Sequence, residues 1–403
     1  MLGSKHCIVA SSPEMAKEIL KTNEESCSNR PDLIVTGYLT NGAFDYIFMP
    51  YGPHWRFMKK ICLNEVLGGR TLEKFVSIRQ EEIEALLRSI LQHSRSRKPL
   101  KVREEFIKLT NNIISRITMG KKCEGTNDEN GEMRRVVQEV GVLLGTFNVC
   151  DYIGFLRNLD VQGIEGKVKA VRKKLDSMME EVMREHEEAR NMKNMGDQNC
   201  ERRKDVLDHL IDLMEKEDSE IKLTRESAKV FTLEMFVAGT NSLAAAMEWT
   251  LAELIKNPKI FSKARKEIDS VVGKNRLVRE SDIPNLPYIQ AIFKETMRLH
   301  PPEYLPERFL PTNESTGNNN LDVRGQHYQL LPFGSGRRGC PGASLTTIVI
   351  QTAVACMIQC FDWNVVNCRE KNSEIEMSEK DGLVMYLAKP LLCKPIAHFV
   401  PFS

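Results

Sequence analysis

Ten residues, Phe333-Gly334-Ser335-Gly336-Arg337-Arg338-Gly339-Cys340-Pro341-Gly342, place one cysteine at the end of a glycine-rich, doubly basic loop. An apolar run from Ala343 to Phe361 follows. Pro341 suits the first position of a helix, where its missing N–H costs nothing and its φ is already helical. Cys340 is then predicted at a helix N-terminus, where unpaired N–H groups and the dipole stabilise an anion. That setting lowers a thiol pKa and favours thiolate, the form that ligates metals. The glycines let something large and flat approach the backbone. Arg338 is placed to pair with a ligand carboxylate.

A lone thiolate without a second Cys or His close by does not suit zinc, which needs about four clustered ligands. It suits the axial ligand of a haem iron. At Phe333, Gly336, Arg338, Cys340 and Gly342 the stretch matches Phe-x-x-Gly-x-Arg-x-Cys-x-Gly, and in this the chain resembles the cytochrome P450 family. The resemblance implies haem b (iron protoporphyrin IX) with Cys340 as its metal ligand. Phe333, Gly336, Arg338 and Gly342 are then cofactor-binding residues. The other ten cysteines read as buried thiols, Cys356 and Cys360 included.

Three further constellations carry the resemblance. Trp55 and Lys59 are four apart on a predicted helix, so they share a face. Unaided they read as a half-buried ring beside a surface lysine. The family has Trp-x-x-x-Arg here, contacting a haem propionate, which makes both residues candidate cofactor contacts. Lysine in place of arginine keeps the charge and loses the bidentate fork. Second, Ala238-Gly239-Thr240-Asn241-Ser242 sits mid-helix, where glycine costs about 1 kcal/mol relative to alanine. Close helix packing explains such a run, and so does a local opening over a flat cofactor. The family's oxygen-activating helix makes Gly239, Asn241 and Ser242 the candidate catalytic residues. Asn241 stands where an acid is usual and Ser242 where threonine is; asparagine orients water without carrying a proton. Third, Glu295-Thr296-Met297-Arg298-Leu299-His300-Pro301-Pro302 with Pro306-Glu307-Arg308-Phe309 resembles the segment where Glu295, Arg298 and Arg308 form a buried structural network.

The elements that must position these residues are mostly helical. Apolar residues recur with helical spacing over 71–93, 102–120, 131–147, 164–190, 205–215 and 226–255. A helix opens at Pro13 behind Ser12 as N-cap, and another runs from His54 to Asn64. Residues 28–53 read as a long loop and 6–12 as a short strand. Polar breaks at 121–131 and 191–204 read as surface loops, 311–332 as a polar meander. The tail, 382–387 with 389–391, reads as a β-hairpin. The expectation is a single mainly α domain over 1–403 with small β-sheets, an incomplete cytochrome P450 fold.

With 41% hydrophobic and 28% charged residues, the 403-residue chain is of ordinary globular composition, and a net charge of +2 points to no nucleic-acid partner. Cysteines without paired spacing favour a reducing, cytosol-facing compartment. No apolar stretch reaches the ~20 residues of a membrane span, and Ile348 to Phe361 reads as a core helix. The residues from Met1 carry neither a charged nor a hydrophobic leader region. The family sits on the cytosolic face of the endoplasmic reticulum membrane; without that anchor, a cytoplasmic location is the expectation for this chain.

Tyr51-Gly52-Pro53, Leu67-Gly68-Gly69-Arg70, Leu109-Thr110-Asn111-Asn112-Ile113-Ile114 and Val271-Val272-Gly273-Lys274 resemble the plant flavonoid and isoflavonoid branch, dihydroxypterocarpan 6a-monooxygenase or flavone synthase in type. This implies a monooxygenase of secondary metabolism that inserts one oxygen atom of O2 into an apolar phenolic substrate. Electrons would come from NADPH through NADPH–cytochrome P450 reductase, and thiolate donation favours O–O cleavage. Lys59 and Lys60 offer a basic face for an acidic reductase, or a plain solvated one. Two departures stand out. The family's N-terminal anchor and hinge are not found here, and Pro302 runs directly into Glu303, where relatives carry several strands and a short helix. That interruption is expected to leave strand edges unpaired. It also opens two alternatives: a haem protein without turnover, and a non-enzymatic helical protein.

Overall fold

The computed structural model describes residues 1–40, 45–122, 129–194, 204–216, 221–298, 303–310, 321–366 and 375–401. The His300-Pro301-Pro302 run and the Asn318-Asn319-Asn320 turn lie outside them, as do parts of both predicted surface loops. Short helices α1 (Pro13–Lys17), α2 (Glu24–Cys27) and α3 (Ile34–Thr40) come first. Helices α4 (Pro53–Ile61) and α5 (Gly69–Lys74) follow, then the long α6 (Val76–Ser96) and α7 (Val102–Met119). After α8 (Glu129–Gly145), α9 (Ile164–Asn194) and α10 (Val206–Met214) comes α11 (Arg225–Lys256). The set ends with α12 (Pro258–Val271), α13 (Pro287–Met297) and α14 (Ala343–Cys360).

The long helices lie where the apolar period placed them. Ser12 caps α1 by accepting from the Met15 N–H at 3.2 Å, as expected. Residues 28–53 are not all loop: α3 forms there because burial of Val35, Thr36 and Leu39 outweighs the weak helix propensity of its β-branched and glycine residues.

Helices α11 and α14 are both long and apolar enough to cross a bilayer, yet most of each is enclosed by the bundle. Against α11 packs α7. Built on Gly239, a Cβ would stand 2.8 Å from Ile114 Cδ1, and Thr110 Oγ1 donates to the Thr240 carbonyl at 2.9 Å. Glycine therefore sits mid-helix to admit α7. The α-helix continues through this point, so the local opening expected at 238–242 is replaced by close packing.

Few strands form among the described residues. β5 (Leu392–Ala397) lies between β1 (Leu100–Lys101) and β2 (Phe361–Val365), antiparallel to both. β3 (Glu379–Lys380) pairs with β4 (Tyr386–Leu387), so the tail is no simple hairpin: residues 386–387 pair backwards and 392–397 join the other sheet. Glu248 on α11, fully buried, ties both sheets to the bundle. It accepts from Arg103 Nε at 2.7 Å and from the Leu391 N–H at 3.0 Å. Residues 6–12 are irregular and not a strand, with Ile8 and Val9 about 85% exposed.

Candidate functional site

Cys340 is held by its loop before it meets any partner. Its N–H donates to the Phe333 carbonyl at 2.8 Å, and Ser335 Oγ donates to the Gly325 carbonyl at 2.7 Å. At Gly336, φ is +66°, a conformation side chains avoid, and a Cβ there would collide with Glu24 and Leu20. Gly336 thus serves the docking of the N-terminal helices. Helix α14 begins at Ala343 behind Gly342, two residues later than Pro341 would start it.

The Cys340 sulfur opens into a cavity of about 520 Å³. Walls come from α11 (Phe231, Glu234, Met235, Ala238, Gly239, Ser242), from Ile114, and from Trp55 and Cys62. The loop adds Phe333, Gly334, Arg338 and Gly342. So the fold brings Cys340, Trp55, Arg338, Phe333, Gly342, Gly239 and Ser242 together in one apolar space. Lys59 and Gly336 stand behind the wall. Lys59 Nζ lies 5.3 Å from the centre of the Trp55 ring and donates to the Arg337 carbonyl.

Asn241 departs from expectation. The turn of the helix carries it off the cavity wall, where its Oδ1 accepts from Tyr386 OH at 3.1 Å. Ser242 remains, four residues from Ala238 on the same face. Its Oγ donates to the Ala238 carbonyl at 2.6 Å, which leaves its lone pairs toward the cavity.

Two thiols line the cavity, and they differ. Burial pushes Cys62 up to about 12, with the Glu234 charge adding to it. Cys340 is also raised, chiefly by burial, and not lowered as its helix position predicts. Pulling the other way are the N–H groups of Gly342 and Ala343 and the Lys59 charge. Burial wins because the walls of an apolar cavity crowd the sulfur and weaken its hydration. A cation bound to it would reverse the balance.

Around the sulfur the donor set is that of a flat, anionic, metal-centred ligand. One thiol is backed by two N–H groups, glycines lie on one side, and cationic or N–H groups stand at one edge. Arg338 and the Trp55 indole form that edge, their groups 4.7 Å apart. At present they serve backbone carbonyls. Trp55 Nε1 donates to Tyr46 O at 3.1 Å, and Arg338 to Ser28 O at 2.9 Å and Met49 O at 2.6 Å. Behind α14's packing face, Glu295 is fully buried. It accepts from Arg298 at 2.9 and 3.1 Å and from the Leu305 N–H at 2.9 Å, with Arg308 3.5 Å away.

The comparisons agree with this geometry. The family model described as Cytochrome P450 matches residues 1–305 and 300–393. The chain belongs to the cytochrome P450 family. Its members are haem-dependent monooxygenases, and the fold class expected from the sequence holds. Beta-amyrin 24-hydroxylase of Glycine max is 51% identical over 447 aligned positions, covering all of this chain and 86% of that protein. The 3,9-dihydroxypterocarpan 6A-monooxygenase of Glycine max is 39% identical over 447 positions, with the same coverage. Among solved structures, a zebrafish cytochrome P450 determined with progesterone superposes with a TM-score of 0.76 at 20% identity, covering 96% of this chain and 93% of its own. The plant-branch resemblance therefore stands. Because 447 aligned positions exceed the chain's 403 residues, the relatives carry sequence with no counterpart here. The two family matches meet at 300–305, where the interruption was expected.

Reading the sequence alone passes over Glu234, Tyr46, Ile47 and Cys62. Of these Glu234 had a signal: a carboxylate one turn before Ala238 in an otherwise apolar stretch.

Proposed function

We propose that the chain is a single-domain haem-thiolate monooxygenase that hydroxylates an apolar polycyclic plant product, with electrons from NADPH through its reductase at a membrane surface. The observation that carries this reading is the Cys340 sulfur opening into an apolar cavity walled by Ala238, Gly239 and Ser242. Cys340 would hold the iron of haem b, and Trp55, Arg338 and Lys59 would serve its carboxylate edge. Bound there, the haem supplies oxygen activation that amino-acid side chains lack. Phe231, Met235 and Leu345 keep the space dry and orient an apolar substrate by contact. Ser242, its own proton committed to Ala238 O, holds a water by accepting from it. Asn241, turned to Tyr386, is left out of that role.

Two substrate classes have support from the sequence and its relatives. A flavonoid or isoflavonoid phenol of pterocarpan type is the reading from the motifs, and the pterocarpan monooxygenase supports it. A second, a beta-amyrin-like polycycle, is favoured by the higher identity to the beta-amyrin hydroxylase.

The first test is spectroscopic: the purified chain takes up haem, and its reduced carbonyl complex shows the red-shifted Soret band of thiolate ligation. A histidine-type band or no haem overturns the proposal and leaves a non-enzymatic helical protein. Turnover of 3,9-dihydroxypterocarpan and of beta-amyrin with reductase then separates the substrate classes. Peroxide release without product identifies a haem protein that does not turn over. Ser242→Ala is expected to lower product per NADPH several-fold with haem content kept, since positioned proton transfer contributes about 10²-fold or more. An unchanged ratio removes Ser242 from the path.

A further inference from the structure

Residues 45–49 cross the cavity wall without helix or strand, yet Asp45 and Tyr46 are buried at 6% and 9% exposure. Buried backbone without a ladder must find its hydrogen bonds elsewhere. Here every partner is a side chain. The N–H groups of Tyr46 and Ile47 donate to the two carboxyl oxygens of Glu234 at 3.0 and 3.1 Å. Those of Phe48 and Met49 both donate to Asp45 Oδ1, the second at 3.0 Å. On the opposite edge the Tyr46 carbonyl accepts from Trp55, and that of Met49 from Arg338. The Tyr46 ring stacks on Trp55 with centroids 5.7 Å apart.

Glu234 reaches this strap from α11, on the same face as Ala238 and Ser242. Desolvation, with the charge of Asp45 beside it, holds the Glu234 carboxyl well above the ordinary carboxylate range.

We infer that Glu234 is a positioning residue: it clamps the strap 45–49 to α11 and so fixes where Tyr46 and Ile47 stand in the substrate cavity. Through the strap it also sets the attitude of Trp55 and Arg338. Its bearing on selectivity rests on the monooxygenase reading above; the clamp itself does not. Glu234 itself lines the cavity, and each of its oxygens already accepts one N–H from the strap.

Hydrogen–deuterium exchange of the full chain tests the clamp without haem or turnover. In the unaltered chain the amides of Tyr46 and Ile47 are expected to exchange far more slowly than those of residues 6–11, although neither segment has regular structure. Equal rates would overturn the inference, and no variant is needed to see it. Glu234→Leu is expected to speed Tyr46 and Ile47 about ten- to hundredfold, the loss of two hydrogen bonds to one carboxyl. Amides of α11 keep their rate, and Glu234→Gln, retaining one acceptor oxygen, falls between. If α11 loosens together with the strap, the role is merely structural and the clamp is refuted. In the haem-loaded chain, Glu234→Leu should change the ratio of spectroscopic Kd values for 3,9-dihydroxypterocarpan and beta-amyrin at least several-fold. An unchanged ratio with accelerated exchange keeps the clamp and discards its effect on selectivity.

Discussion

The Cys340 loop and residues 6–12 are both short stretches outside the long helices, and they fare differently. The loop is gripped from several directions: Ser335 by Gly325, Arg338 by the carbonyls of Ser28 and Met49, and Arg337 by Glu24 at 3.3 Å. Residues 6–11 make no backbone hydrogen bond among the described residues, and Ile8 and Val9 stand in water. A helix satisfies its own backbone, whereas a strand borrows its hydrogen bonds from a partner distant in sequence. A site built on α4, α11 and α14 therefore satisfies most of its own backbone, whereas a segment that finds no partner stays bare.

The contrast breaks first, if it breaks, at Cys340. Cys340→Ala is expected to abolish the thiolate Soret band altogether, while Cys356→Ala, sixteen residues further along the same helix line, leaves it in place. Cys356 is fully enclosed and burial holds its thiol well above the ordinary range, so it offers no ligand. Loss of the band in both variants would mean that α14 as a whole, and not one sulfur, carries it.

Next in size is the support behind the site. Glu295→Ala removes a buried carboxylate and orphans Arg298 and the Leu305 N–H. A loss of about 2–4 kcal/mol is expected, somewhat under that of a sealed pair because Arg298 and Arg308 keep one side in water. Denaturant unfolding measures it. A change below about 0.5 kcal/mol, the range of ordinary surface substitutions, would show that the helical half does not depend on this network.

At the other pole, an Ile8→Lys, Val9→Lys double variant should alter stability by no more than about 0.5 kcal/mol, since both side chains are already in solvent. It should also reduce self-association by light scattering, because two exposed apolar side chains are replaced by charged ones. A marked loss of stability would show that these residues have a partner in solution and would erase the contrast.

What could be read from the residues follows the same division. The helices announced themselves through their period, and the Cys340 loop through residue types that few other structures need. Strand pairing did not: nothing local tells Leu100 that it lies opposite Cys393. Helix α3 was hidden because its β-branched residues argue against helix until burial is counted. The exit of Asn241 from the site was legible, since a neighbour of Ser242 lies about 100° around the helix from it. The raised Cys340 thiol was not, because the helix-terminus effect is local while desolvation depends on cavity walls contributed by distant segments. The clamp by Glu234 escaped for a related reason: its partners are backbone N–H groups, which carry no sequence signal.

Between the gripped loop and the bare residues 6–11 lies an intermediate case, the partly exposed charge network joining α9 to α11. Glu180 accepts from Arg225 at 2.6 and 3.0 Å and from Lys229 at 3.1 Å. The Arg225 hydrogen bond, aided by Lys229, lowers its pKa from 4.5 to about 2. A carboxylate depressed in the folded state contributes stability above its unfolded value and loses it as pH falls through the folded one. The network is thus expected to be intact at neutral pH and to fade between pH 4.5 and about 2. Glu180→Gln should flatten that part of the acid-unfolding curve while costing no more than about 1 kcal/mol at pH 7, because half of the side chain faces water. A curve of unchanged slope would show that Glu180 is not the group whose protonation drives that part of the transition and would move this network to the side of the bare residues 6–11.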